Sequence, residues 1–248
     1  MREMFRQDLH DVYDETIEVF EDAAATVRRA VPALVQGDVE AAQAIIDGDA
    51  TFNERTIAIE EKILQITATQ SPVARDVRLL QTLVSIVMHL ERIADMSASV
   101  AKAAIRTAEG PRRQSMLDLI QAQGNLVYRV LDTTIEAMKT EDLELAAKLP
   151  ELDEPIDELY KQFFREIARI KDKKELKWAS RMMLASRHLE RIADHAVDIG
   201  ERLVFLITGE RATLEELAEE ILVEKKIDRS DSGTSFNDDD DDDEDGDE

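Results

Sequence analysis

The chain has no cysteine and, in 248 residues, only eight glycines and five prolines. Without thiols it cannot form disulfides, thiolate zinc sites, cysteine-held iron–sulfur clusters or a cysteine nucleophile, and it fits a reducing compartment. No stretch reaches the roughly 18 uninterrupted apolar residues of a membrane span. The start, Met1-Arg2-Glu3-Met4-Phe5-Arg6-Gln7-Asp8, lacks the basic-then-apolar order of a signal peptide. A soluble, cytoplasmic protein is expected. Positive charge is also scarce: 31 Lys and Arg face 55 Asp and Glu, for a formal net charge of −24. Eleven of those negatives follow Arg229, in the run from Asp231 to Glu248, which leaves −13 on residues 1–230. Such a body repels a phosphate backbone, so direct nucleic-acid binding is not expected. Neither a glycine-rich phosphate loop nor a nucleophile–base spacing is present, so nothing in the sequence makes a case for an enzyme.

What is there is helix. Hydrophobic residues make up 44% of the chain, enough to bury a core. Few glycines and prolines, with Ala, Leu, Glu, Arg and Ile abundant, favour helices throughout. The pattern predicts helices at about 3–35, 38–68, 73–108, 112–139, 142–171 and 173–208. Gly37-Asp38, Ser71-Pro72, Gly110-Pro111 and the polar Lys171-Asp172-Lys173-Lys174 separate them. Short turns between long helices force antiparallel packing.

A repeat organises these helices. His89-Leu90-Glu91-Arg92-Ile93-Ala94-Asp95 returns letter for letter as His188-Leu189-Glu190-Arg191-Ile192-Ala193-Asp194, 99 residues later. Gly37-Asp38-Val39-Glu40 opens the helix just before the first copy as Glu141-Asp142-Leu143-Glu144 does before the second. The fold class expected is therefore all-α, with two tandem, similar three-helix bundles, six long antiparallel helices in all. The first repeat covers residues 1–110 and the second 111–210. Residues 211–248 form an acidic extension, a short helix followed by an aspartate-rich tail with almost nothing to bury.

On the last long helix Leu189, Ile192, Ala196, Ile199, Leu203 and Leu206 form one apolar stripe, and Glu190, Asp194 and Asp198 run beside it at steps of four. Like charges at that spacing destabilise a helix unless a cation lies between them. Oxygen ligands so arranged suit divalent or ferric ions: iron, manganese, magnesium, calcium and zinc are not distinguished. The earlier copy keeps Glu91 and Asp95 but has Ser99 in place of Asp198 and Lys102 in place of Glu201. Further carboxylates are available from the middle helices. There Asp153 and Asp157 correspond to Asp49 and Asn53, so the first half is again one carboxylate short. The alternative is a solvated face in which Glu91 and Glu190 pair with Arg92, Arg187 or Arg191. His89, His188 and His195 lie off the carboxylate stripe and read as surface histidines. A ferritin-like di-iron site is disfavoured, because Ala94 and Ala193 stand where its histidines would be.

Leu-Glu-Arg-Ile-Ala-Asp near the end of each half resembles the E(D)xxxD motif that PhoU proteins carry once per three-helix repeat. Gln70-Ser71-Pro72-Val73-Ala74-Arg75-Asp76-Val77-Arg78 resembles the segment before that family's first motif helix. Asp194-His195-Ala196-Val197-Asp198-Ile199-Gly200-Glu201, with Gly209, resembles its closing helix. The resemblance spans about residues 3–210. It implies a cytoplasmic, metal-binding adaptor, a homodimer, that restrains phosphate-starvation signalling. Its partners would be the ATPase of a phosphate ABC transporter and a sensor histidine kinase, and it would meet the membrane only through them. The ligands carried over are Glu91 and Asp95 in one half and Glu190, Asp194 and Asp198 in the other, with Asp49, Asp153 and Asp157 as possible additions. A metal store, a carboxylate–metal enzyme and a metal-free helical scaffold are the alternatives.

Overall fold

The computed structural model describes residues 2–231, and no strand occurs among them. The helices are α1 (Arg2–Gln36), α2 (Val39–Gln70), α3 (Arg75–Thr107), α4 (Gln114–Thr140), α5 (Leu143–Ala146), α6 (Leu149–Ile167), α7 (Lys173–Thr208) and α8 (Leu214–Asp231). Turn chemistry sets their limits. Asp38 accepts a hydrogen bond from the Ala41 amide at 2.9 Å and starts α2. Asp142 accepts from the Glu144 and Leu145 amides at 2.7 and 3.1 Å and starts α5. These carboxylates satisfy amides that have no partner inside the helix. The residue before each cap turns the corner in the left-handed region, Gly37 at φ 73° and Glu141 at φ 50°. The two halves therefore use the same corner at the same place.

One element departs from the expected pattern. The helix expected at 142–171 is two pieces, α5 and α6, and the second ends at Ile167. Pro150 is the cause: it has no amide to donate, and its ring collides with the carbonyl four residues back, that of Ala146, the last residue of α5. A proline in the first turn of α6 costs nothing, because an amide there has no partner to lose. The expected short acidic helix of the extension is α8, which runs to Asp231; Leu214 and Leu217 are buried and anchor it against α5, α6 and α7. The aspartate-rich tail lies outside the described residues.

In each half three helices share a core: α1, α2 and α3 in the first, α4, α6 and α7 in the second. The halves meet along α3 against α7, the most extensive contact in the molecule, and along α1 against α4. The α3–α7 pair is antiparallel. His89 meets His195, the Arg181 guanidinium donates to the Arg106 carbonyl, and Trp178 Nε1 donates to the Thr107 carbonyl at 3.1 Å. Read along the two helices, these pairs set Ile93 beside Ile192, both of them buried. The duplicated heptapeptide thus lies along the contact between the halves, while Ala94 faces away from it, into a cleft lined by α1 and α2.

The α1–α4 contact rests on an economy of size. A Cβ placed on Gly124 of α4 would stand 2.6 Å from Val31 Cγ1 of α1. Gly124→Leu is expected to cost about 1–3 kcal/mol in urea denaturation through overpacking, and Val31→Ala in the same chain to recover part of that loss. A tolerated Gly124→Leu would show that α1 and α4 are not held this closely.

Candidate functional site

The carboxylates of the second half converge from two helices. Asp153 and Asp157, one turn apart, project from α6, and Glu190 and Asp194, also one turn apart, project from α7 alongside it. Glu190 is only 8% exposed although it is an acid. Burial, with Asp194, Asp157 and Glu190 close by, pushes the Asp153 carboxyl up from an ordinary 3.8 to about 7. Burial also raises Glu190 and Asp194, and Asp157 adds to both. Arg187 opposes the trend by forming an ion pair with Glu190 and lying 5.6 Å from the Tyr160 ring. Arg187 thus occupies Glu190 Oε2 and lies near Asp194, and Lys161 lies near Asp157, whereas the buried Asp153 Oδ1 has no hydrogen-bond partner. A buried, unpartnered oxygen among four carboxylates gives a donor set suited to a hard cation.

The first half places its residues differently. Asp49, with Asp22, Arg29 and Arg55, lines a cleft of about 380 Å³, in which Arg55 pairs with Asp22. Glu91 is exposed, and Asp95 is engaged by Arg92 of its own helix at 3.6 Å. Asn53 has a buried Oδ1 without a partner where the second half has Asp157. Arginine in the cleft and an amide at that position replace the carboxylate pairing of α6 with α7.

Two expectations change. Asp198 does not join Glu190: each step of four along an α-helix overshoots a full turn by about 40°, so the two differ by about 80° in direction. Asp198 Oδ2 instead lies 3.5 Å from His89 Nδ1 and 3.7 Å from His195 Nδ1. Nor are these two histidines on the surface. Their side chains are 17% and 16% exposed, enclosed by the α3–α7 contact, and His188 has a buried Nδ1 without a partner. Each helix taken alone would leave them facing solvent. Only the pairing of α3 with α7 covers them, and the sequence signal for that was the exact repetition of a motif containing a histidine. Among the described residues, His89, His195 and Asp198 are the only three whose ligand atoms all lie within 4.8 Å of one another. The four carboxylates on α6 and α7 are more widely spread, as mutual repulsion requires when little positive charge lies between them.

The arrangement of two like halves has counterparts. The PhoU domain matches this chain twice, over residues 16–104 and 120–203. The chain belongs to the PhoU family. A phosphate-specific transport system accessory protein PhoU homolog from Clostridium acetobutylicum is 30% identical over 216 residues, which is 86% of this chain and 98% of that protein. A homolog so described from Pseudomonas aeruginosa is 29% identical over 84% of this chain and 86% of its own length. The crystal structure of PhoU from P. aeruginosa superposes with a TM-score of 0.78 at 28% identity, covering 83% of this chain and all of that one. The phosphate transport system regulatory protein PhoU from Streptococcus pneumoniae gives 0.77 at 30% identity, over 84% and 99%. In this PhoU-family chain no described helix is long and apolar enough to cross a membrane.

The raised acids give a pH dependence with a definite sign. Asp153 holds its proton more tightly folded than unfolded, so its contribution to stability is complete below the ordinary carboxyl range and is lost as pH rises to about 7. Chelator-treated protein is expected to melt at a lower temperature at pH 8 than at pH 5, with the drop reduced in Asp153→Asn. A drop of the same size in that variant would mean that the Asp153 carboxyl is not strained in the fold.

Proposed function

We propose that this chain is a regulatory accessory protein of phosphate uptake, a metal-binding adaptor that acts between a phosphate ABC transporter and a sensor histidine kinase and restrains phosphate-starvation signalling. The observation that carries this reading is that both halves match relatives described as phosphate-specific transport system accessory proteins, over most of the length of each. The role is non-enzymatic and cytoplasmic, the working form is a homodimer, and residues 1–110, 111–210 and 211–248 are its two repeats and its acidic extension. The partners are the transporter ATPase and the kinase.

The cation belongs to the second half. Asp153, Asp157, Glu190 and Asp194 would hold it, and the unpartnered Asp153 Oδ1 supports the fit. Manganese, iron, magnesium and calcium all suit oxygen donors. Bound there, a divalent or ferric ion would supply positive charge to the four clustered acids. Glu91, Asp95 and Asp49 form at most a weaker site, with Arg29 and Arg55 in the cleft of Asp49 and Arg92 on Asp95. A metal-free scaffold is the competing reading, and the Arg187–Glu190 ion pair is the observation in its favour.

The reading is tested in cells. Deleting the gene should switch on starvation genes or cause excess phosphate accumulation in ample phosphate, without removing any chemical step. An allele changed at Glu190→Ala and Asp194→Ala should restore control poorly at normal abundance, which must be measured, since metal loss can also act through folding. Normal phosphate control in a deletion strain with no second family member would refute the regulator.

A further inference from the structure

The groups gathered where α3 crosses α7 differ in chemistry from the carboxylates between α6 and α7. His89 Nδ1 and His195 Nδ1 are 3.1 Å apart, and Asp198 Oδ2 stands 3.5 and 3.7 Å from them. A point about 2.0 Å from all three atoms exists inside that triangle, and about 2.0 Å is the bond length of zinc to imidazole nitrogen or carboxylate oxygen. Ligands around a tetrahedral ion at that radius are about 3.3 Å apart, so a shift of a few tenths of an ångström, closing the two edges to Asp198, would convert the triangle into one face of a tetrahedral site. We infer that His89, His195 and Asp198 form a second metal site, for a borderline first-row divalent cation such as zinc or cobalt, that ties the first half of the chain to the second.

Protonation favours it. Burial holds the His89 imidazole below its ordinary value, with His195 and Arg202 adding to that and only Asp198 opposing it, so near neutral pH its ring is uncharged and able to offer a nitrogen lone pair to a metal. Asp198 is held below the usual carboxylate range, chiefly by its hydrogen bond with His195, and is ionised. Without a cation either tautomer of His195 leaves its buried Nε2 unpartnered. Arg202, the nearest competing cation, is itself incompletely satisfied, with a buried Nε that finds no partner.

The duplication supplies an internal control. Carrying each ligand across the repeat by 99 residues gives His188 for His89, Met96 for His195 and Ser99 for Asp198. His188 and Ser99 do share a groove of about 130 Å³ at the other end of the crossing. Ser99 spends its hydroxyl on the Asp95 carbonyl at 3.0 Å, and Met96 offers only a thioether. A repeated scaffold thus presents two equivalent positions, and only one carries a complete donor set.

Full-length protein stripped with chelator and titrated with cobalt(II), then zinc(II), decides the matter. The background is Asp157→Asn with Glu190→Gln, which weakens the carboxylate site. One equivalent of cobalt should bind and give the visible absorption of a low-coordinate site, and zinc should displace it. In imidazole-resolved ¹⁵N NMR, His89 and His195 should shift while His10 and His188 stay in place. His89→Ala and His195→Ala should each lose that equivalent, whereas His188→Ala should keep it. The NMR reading needs no histidine variant and stands even where one fails to fold. No binding, binding that leaves the His89 and His195 signals unmoved, or an equivalent that survives both variants would overturn the site.

Discussion

Much of this molecule depends on two helices that must come close enough to bury one another. Along the contact of α3 with α7, Ile93 and Ile192 are buried side by side, and truncating either would leave a cavity between the halves. That closeness has chemical consequences on both sides. Outward from α7, Glu190 and Asp194 are presented to α6; along the crossing itself, His89 and His195 lose their water. The same packing that makes the core therefore raises the cost of ionising the acids beside it.

Electrostatics then separates the halves. The first half meets its acids with arginine: Arg55 pairs with Asp22, and Arg92 with Asp95. The second half gathers four acids with Arg187 close to two of them, and burial, with mutual repulsion after it, raises the carboxyl pKa values of Asp153, Glu190 and Asp194 and leaves Asp153 Oδ1 without a partner. Two copies of one motif have taken different charge environments from their neighbours. A motif repeated letter for letter thus does not imply two equal sites.

The helices and their corners were legible from local rules. Asp38 and Asp142 cap as their positions suggest, and the repeat of the heptapeptide announces the two bundles. The break after Ala146 was also within reach, since Pro150 forbids the hydrogen bond that would bridge it. The site was harder. Steps of four on a helical diagram align Glu190 with Asp198, but the drift of about 40° per step turns Asp198 towards the other half of the molecule. His89 and His195, 106 residues apart in the chain, become neighbours only once α3 and α7 are known to be antiparallel and in contact, and no local pattern carries that register.

The central claim is that the acids between α6 and α7 are held for a cation. Elemental analysis of the purified chain, after exposure to iron and manganese and removal of unbound metal, tests it most directly. The account predicts retained metal that is lost when Glu190→Ala and Asp194→Ala are combined in a chain that still folds. Metal content unchanged by those substitutions would contradict it and leave the four carboxylates as a solvated face stabilised by Arg187.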